Sequence, residues 1–194
     1  MGTRGLYIVI YKQKKVIVQY GQFDAYPEGQ GLNVLDFLHY LMYEPERLDH
    51  FKKQLDRCVF VDETYMHEVV EVYAASIGLS LHEDDSIECS DQAAVDQYNK
   101  RFPALDREMS SDILNYVYHY KFENELIWLK KCPEDWAWKC EWTYEINIDT
   151  LSLCIESDQL DESVEFDLND LPDDHHFLVC LGQEAEDDTD SDSE

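Results

Sequence analysis

Basic side chains stop at Lys139. The final 55 residues carry 19 aspartates and glutamates and not one lysine or arginine, whereas residues 1–139 hold 24 acidic and 15 basic groups. A surface so poor in cations disfavours direct binding to nucleic acid, whose affinity comes from neutralising phosphates. Glycine (7) and proline (5) are also scarce among the 194 residues, which excludes collagen-like and low-complexity classes. No apolar run reaches the roughly 18 residues a membrane span needs. The stretch Leu6 to Tyr11 is shorter than a secretion-signal core, and Lys12, Lys14 and Lys15 follow it in place of a small-residue cleavage site. Leu6 stands where a myristoylation signal beginning at Gly2 wants Ser or Thr. The expectation is a cytoplasmic or nuclear protein with no membrane attachment.

Chemical motifs are lacking too. The six cysteines contain no C-x-x-C pair, His67-Glu68 lacks the second histidine of a zinc-binding helix, and no G-x-S-x-G elbow, Walker loop or dinucleotide fingerprint occurs. Glu83-Asp84-Asp85 has neither the spacing nor the glycine of a calcium loop. Cys132, Cys140, His175, His176 and Cys180 are not arranged in the close pairs of a structural zinc site. The expectation is free thiols, no metal and no cofactor.

What is present is a core-forming composition: 44% hydrophobic and 13% aromatic residues. That suits one folded domain over residues 1–181, with an acidic, disordered tail at 182–194. Gly5 to Tyr11 and Val16 to Tyr20 are β-branched and aromatic around a polar Lys12 to Lys15, which predicts a hairpin. Gly21 to Gly31 has the glycines and proline of a shaped loop. Helical spacing follows from Leu32 to about Glu44, from Glu46 to Leu55, from Glu63 to Ile77 with Gly78 as a stop, from Ala93 to Phe102, and from Ser110 or Ser111 to Tyr120. A short strand is expected at Cys58 to Val61 and a loop at His82 to Asp91. Leu126 to Leu129, Cys140 to Ile148, Leu151 to Ile155 and Phe177 to Leu181 read as further strands. Strands, then helices, then strands predict an α+β fold, with N-terminal and C-terminal hairpins sharing an antiparallel sheet packed against a central group of helices.

Four phrases carry a resemblance. They are Thr3-Arg4-Gly5, Phe23-Asp24-x-Tyr26-Pro27-x-Gly29-x-Gly31, Phe102-Pro103-x-Leu105-x-Arg107, and Cys140-Glu141-Trp142-x-Tyr144-x-Ile146-x-Ile148-Asp149. In this order over residues 3–150 they resemble an uncharacterised family of proteins common in fungi. The resemblance implies one domain and no particular reaction. The chain departs from that pattern at Ser110-Ser111, where Gly-Ala is usual.

The first candidate site gathers Thr3, Arg4, Asp24, Tyr26 and Glu28, because a hairpin brings its two ends together. Its plainest reading is an Arg4–Asp24 ion pair pinning the loop. A small ligand pocket and a hydrolase with Thr3 as N-terminal nucleophile are the alternatives, the latter requiring loss of Met1 and Gly2. A second candidate is a partner surface containing Trp136 and Trp138 with the tail acids Glu184, Glu186, Asp187 and Asp188. Thr189 and Ser191 each precede an acid by three residues, the pattern acidophilic kinases prefer. With no catalytic motif, the chain reads as a non-enzymatic interaction protein whose complement is a basic protein partner.

Overall fold

The computed structural model describes residues 2–61, 71–81, 87–88, 93–94, 109–121, 125–130 and 139–183. It is an α+β fold around a five-stranded sheet. Strands β1 (Gly5–Tyr11) and β2 (Lys14–Gly21) form the expected hairpin, and β7 (Trp142–Asn147), β8 (Ser152–Ser157) and β9 (Val164–Asp167) complete the order β2-β1-β7-β8-β9. Helices α1 (Leu32–Met42), α2 (Pro45–Leu55), α3 (Asp112–Tyr118) and α4 (Asp174–Cys180) contribute to the core on one face. Two small ladders stand apart: parallel β3 (Cys58–Val61) with β6 (Ile127–Lys130), and antiparallel β4 (Ser80–Leu81) with β5 (Ile87–Glu88). The last replaces part of the loop expected at His82 to Asp91.

The sheet is mixed and not wholly antiparallel. β1 and β7 run parallel, Gly5 opposite Trp142 and Ile10 opposite Asn147. A parallel neighbour needs a long crossover, and the helical segments between residues 31 and 141 supply it, returning the chain to the end of the sheet where β1 began.

The β1–β2 turn is only two residues, Lys12 and Gln13, both in the left-handed region (φ 53° and 61°) that a type I′ hairpin demands. Neither is glycine. The Asp149 carboxylate, in the β7–β8 turn, accepts hydrogen bonds from both backbone N–H groups at 2.9 and 2.7 Å. These bonds hold the turn and keep the Asp149 carboxyl below the usual carboxylate range.

Alternation along the strands creates two unlike faces. The inner face carries Tyr7, Val9, Ile17, Trp142, Tyr144, Ile146, Leu153 and Ile155, all buried. Val34, Leu35, Phe37, Leu38 and Leu41 of α1 belong to the same core, with Phe51 and Leu55 of α2, Ile113, Leu114 and Val117 of α3, and Phe177 of α4. The outer face begins apolar at β1, where Leu6 and Ile8 are buried with Ile10, Val18, Tyr20 and Cys140 about them, and turns acidic towards β9.

Residues 177–180 are helical and Leu181 is the C-cap, whereas the five apolar residues of 177–181 suggest a strand. Asp173 caps the helix, its side chain accepting from the His176 N–H at 2.8 Å. Phe177 and Leu181 lie four residues apart, both buried, with the Leu181 N–H donating to the Phe177 carbonyl at 3.2 Å. The last strand is instead β9, whose Val164 and Phe166 pair with Ile155 and Leu153. Helix α2 begins one residue before its expected start, at Pro45, and α3 spans Asp112–Tyr118 within the expected segment. Residues 71–76 are helical and the chain leaves at Gly78 with φ 80°, the expected stop. Residues 63–70, and 95–102 of the helix expected from Ala93, lie outside the described residues.

No helix among the described residues is long and apolar enough to cross a membrane. Cys58, Cys154 and Cys180 are free thiols. Burial pushes Cys58 up to about 12, so it packs as an inert apolar side chain. Cys89 and Cys132 lie outside the described residues.

Candidate functional site

The N-terminal constellation is built by the parallel junction of β1 and β7. The Arg4 carbonyl accepts from the N–H groups of Glu141 at 3.0 Å and Trp142 at 3.3 Å. The Glu141 carboxylate reaches back to Arg4, accepting from its backbone N–H at 2.6 Å and from its guanidinium at 3.3 and 2.9 Å. Arg4 therefore pairs with Glu141, and the anticipated Arg4–Asp24 pair does not form. The cause is topological: the residue preceding β7 is set directly beside the residue preceding β1.

Asp24 has a different task. It takes φ 55°, a conformation aspartate tolerates, and its carbonyl accepts from the Gln30 N–H at 2.8 Å, closing the loop. Its side chain is exposed, as are those of Tyr26 and Glu28. Thr3, half-buried, accepts at its carbonyl from the Ala25 N–H at 3.2 Å. The Ala25 carbonyl in turn accepts from the buried Tyr144 hydroxyl at 2.8 Å. Gln30 Oε1 accepts from the Ser111 N–H at 3.2 Å and from the Ser111 hydroxyl. The loop is thus pinned from three sides, and its bonds hold shape while Phe23 (43% exposed) and Tyr26 (39%) stay at the surface. Five residues proposed as one pocket are close in the chain path, yet Arg4 is engaged by Glu141 and Asp24, Tyr26 and Glu28 face solvent. A hollow of about 230 Å³ lies elsewhere, between α1 and α3, lined by Asn33, Asp36, Phe37, Tyr40, Asp112 and Asn115.

Burial raises the Glu141 pKa, but the Arg4 hydrogen bonds and positive charge outweigh it and hold the carboxyl below its ordinary range. A carboxylate depressed in this way stabilises the fold above the unfolded value, about pH 4.3, and that contribution disappears as pH falls through the lower folded value. Denaturation midpoints of the parent and Glu141→Gln should therefore differ near neutrality and converge in acid. Curves that stay parallel down to about pH 3 would show that the pair contributes nothing.

The acidic candidate takes shape on the outer sheet face. One row across the strands reads Ile8, Glu145, Cys154, Glu165, and the adjacent rows place Glu156 beside Thr143 and Asp167 beside Ser152. Glu156, Glu165 and Asp167 are exposed, and Asp158, Asp161 and Glu162 extend the surface into the β8–β9 turn. Glu145 has Lys15 Nζ at 3.9 Å. Among the described residues Glu156 and Glu165 have no ion-pair partner. Their field is felt by the thiol between them: burial pushes Cys154 up, Glu156 adds to it, and Glu165 and Glu145 act in the same direction against a hydrogen bond from Ser163.

Glu145, Glu156 and Glu165 are absent from the residues singled out in the sequence, and Glu141 enters there only within the fourth phrase, with no site role. Alternation in Leu153-Cys154-Ile155-Glu156 does carry the signal for Glu156, since alternate residues must share a face. Trp136, Trp138, Glu184, Glu186, Asp187, Asp188, Thr189 and Ser191 lie outside the described residues. Trp142, from the same aromatic run, is buried core, stacked at 6.4 Å on Tyr144. Among the described residues no group of three or more His, Cys, Asp or Glu side chains could hold a metal ion. No family model, curated protein or solved structure matches this chain.

Proposed function

We propose that this protein is a non-enzymatic interaction module that binds a basic protein through the outer acidic face of β7, β8 and β9. The observation that carries the reading is the set Glu145, Glu156, Glu165 and Asp167 on one sheet face, in a chain region with no lysine or arginine after Lys139. Such a face offers a cationic partner fixed carboxylates on a rigid support, which speeds encounter and sets orientation more than it adds affinity. The tail acids Glu184, Glu186, Asp187 and Asp188 add to the negative charge of the chain, and phosphate at Thr189 or Ser191 would add more. Free thiols at Cys58, Cys154 and Cys180 suit a reducing compartment, the cytoplasm or nucleus.

Titration of the full chain with labelled polylysine reads this directly. Binding should weaken steeply as salt rises and the Debye length shrinks from about 10 Å at 0.1 M to about 3 Å at 1 M. The double variant Glu156→Lys with Glu165→Lys should weaken it by about tenfold or more, equivalent to about 1.4 kcal/mol, while the fold melts as before. Salt-independent binding, or binding untouched by the double reversal, would overturn the assignment of this face.

A further inference from the structure

The five-stranded sheet ends at β9, and nothing among the described residues pairs with its far edge. Register with β8 fixes which backbone groups that edge offers. The Leu168 N–H donates to the Leu151 carbonyl at 2.8 Å, and Phe166 and Val164 stand opposite Leu153 and Ile155. Bonded and non-bonded pairs alternate along an antiparallel ladder, so Phe166 and Val164 turn their N–H and carbonyl groups towards β8. Glu165, opposite Cys154, turns its own outward. Side chains on this edge are sorted by face. Val164 and Phe166 are half-buried on the inner side, the Phe166 ring 5.5 Å from that of Phe177. Glu165 and Asp167 are exposed on the outer side, as is Glu156 of β8. The Asp167 carboxylate accepts from the backbone and side-chain nitrogens of Asn169, both at 2.8 Å. Glu165 is left as the acid without an ion pair, among the described residues, at the middle of the edge.

We infer that the free edge of β9 takes up an extended segment of the basic partner as an added antiparallel strand, in which lysine or arginine alternates with apolar residues. This rests on the acidic face being the partner surface, and it gives that partner its local form. The Glu165 N–H donates to the partner residue opposite, and the Glu165 carbonyl accepts from the same residue. In strand addition such main-chain bonds give affinity and alternate side chains give specificity. The residue opposite Glu165 lies on the outer face, where a cation meets Glu165 and Glu156. Its two neighbours turn to the inner side and cover the half-buried Val164 and Phe166. A second copy of this chain is the poorer occupant. Pairing β9 with β9 sets acids opposite acids, and like charges directly opposite destabilise a strand pair.

Two short labelled peptides, titrated with the full chain at one salt concentration, test this. One alternates lysine with valine; the other holds the same residues as a lysine block followed by a valine block. Charge alone binds both alike. The alternating peptide should bind about tenfold tighter, the factor expected of two ordinary hydrogen bonds. N-methylation of its lysine backbone nitrogens keeps every charge, removes the donors that face β9, and should abolish the preference. Glu165→Pro should reduce it in the same way, because proline removes the outward N–H and is tolerated on an edge strand. Circular dichroism checks the fold of that variant, and the methylated peptide gives the same reading on the unaltered protein. Equal binding of the two peptides, or a preference that survives lysine N-methylation, overturns the edge site. If both peptides then still bind in a salt-dependent way, the acidic face stands without it. Failure of both peptides and of polylysine overturns the face as well.

Discussion

Replacing Phe177 by Ala should lower stability by about 3–5 kcal/mol, the usual range for emptying a buried aromatic site. For a chain of this size that is roughly 6–20 °C in melting temperature. Phe177 is fully buried and the one buried residue of α4. Its ring lies 5.5 Å from that of Phe166 on β9, and a Cβ built on Gly31 would come within 3.4 Å of it. Deleting the ring therefore removes the largest of the contacts by which Phe177, Leu178 and Leu181 hold the helix to the core, and leaves a cavity beside Gly31. Val179, two residues on and 49% exposed, is the control: Val179→Ala should fall within about 0.5 kcal/mol of the parent. Equal effects at both positions would mean that α4 does not dock as described. Thermal or urea denaturation followed by tryptophan fluorescence reads both.

The second large effect is expected at Gly21, the end of β2. A Cβ there would sit 2.3 Å from the Ser110 hydroxyl oxygen, 2.9 Å from the Ser110 Cβ and 3.0 Å from the Tyr7 ring. Rotating the Ser110 hydroxyl relieves the first contact and not the second, so Gly21→Ala should cost about 1–3 kcal/mol through overpacking. Ser110 itself is buried and takes φ 41°, a left-handed conformation that favours glycine. Ser110→Gly removes both the strained Cβ and the clashing atoms. Alone it should change stability little, because relief of backbone strain is offset by the greater entropy of glycine in the unfolded chain. In combination it should recover most of the Gly21→Ala loss, a coupling that a double-mutant cycle measures. Purely additive losses would show that the two residues do not meet.

These two sites also separate what local sequence carries from what it does not. The hairpin of β1 and β2, the stop at Gly78, a helix ending at Leu55 and the alternation of β7 all follow from propensity and period, which act over a few residues. Segment 177–181 misleads because five consecutive apolar residues fit a strand or a buried helix face equally well. Asp173, placed to cap the His176 N–H, is the local cue that favours the helix. Strand β9 escapes notice because four residues, two of them acidic, are too short a pattern.

Arg4 and its charge belong to the sequence; its partner does not. From spacing alone Asp24, across the hairpin, is the nearer acid. The structure assigns Glu141, 137 positions away, because the crossover brings β7 alongside β1 in parallel and sets the two preceding residues together. The acidic content after Lys139 is likewise plain in the sequence and determines the kind of partner this chain suits. Which carboxylates share a face was decided only by strand register, since a shift of one residue would turn Glu156 and Glu165 inward. Charge, composition and local period are properties of the chain itself. Pairing across 137 residues is a property of the closed sheet, and that sheet is what joins Arg4 to Glu141 and Glu145 to Glu165.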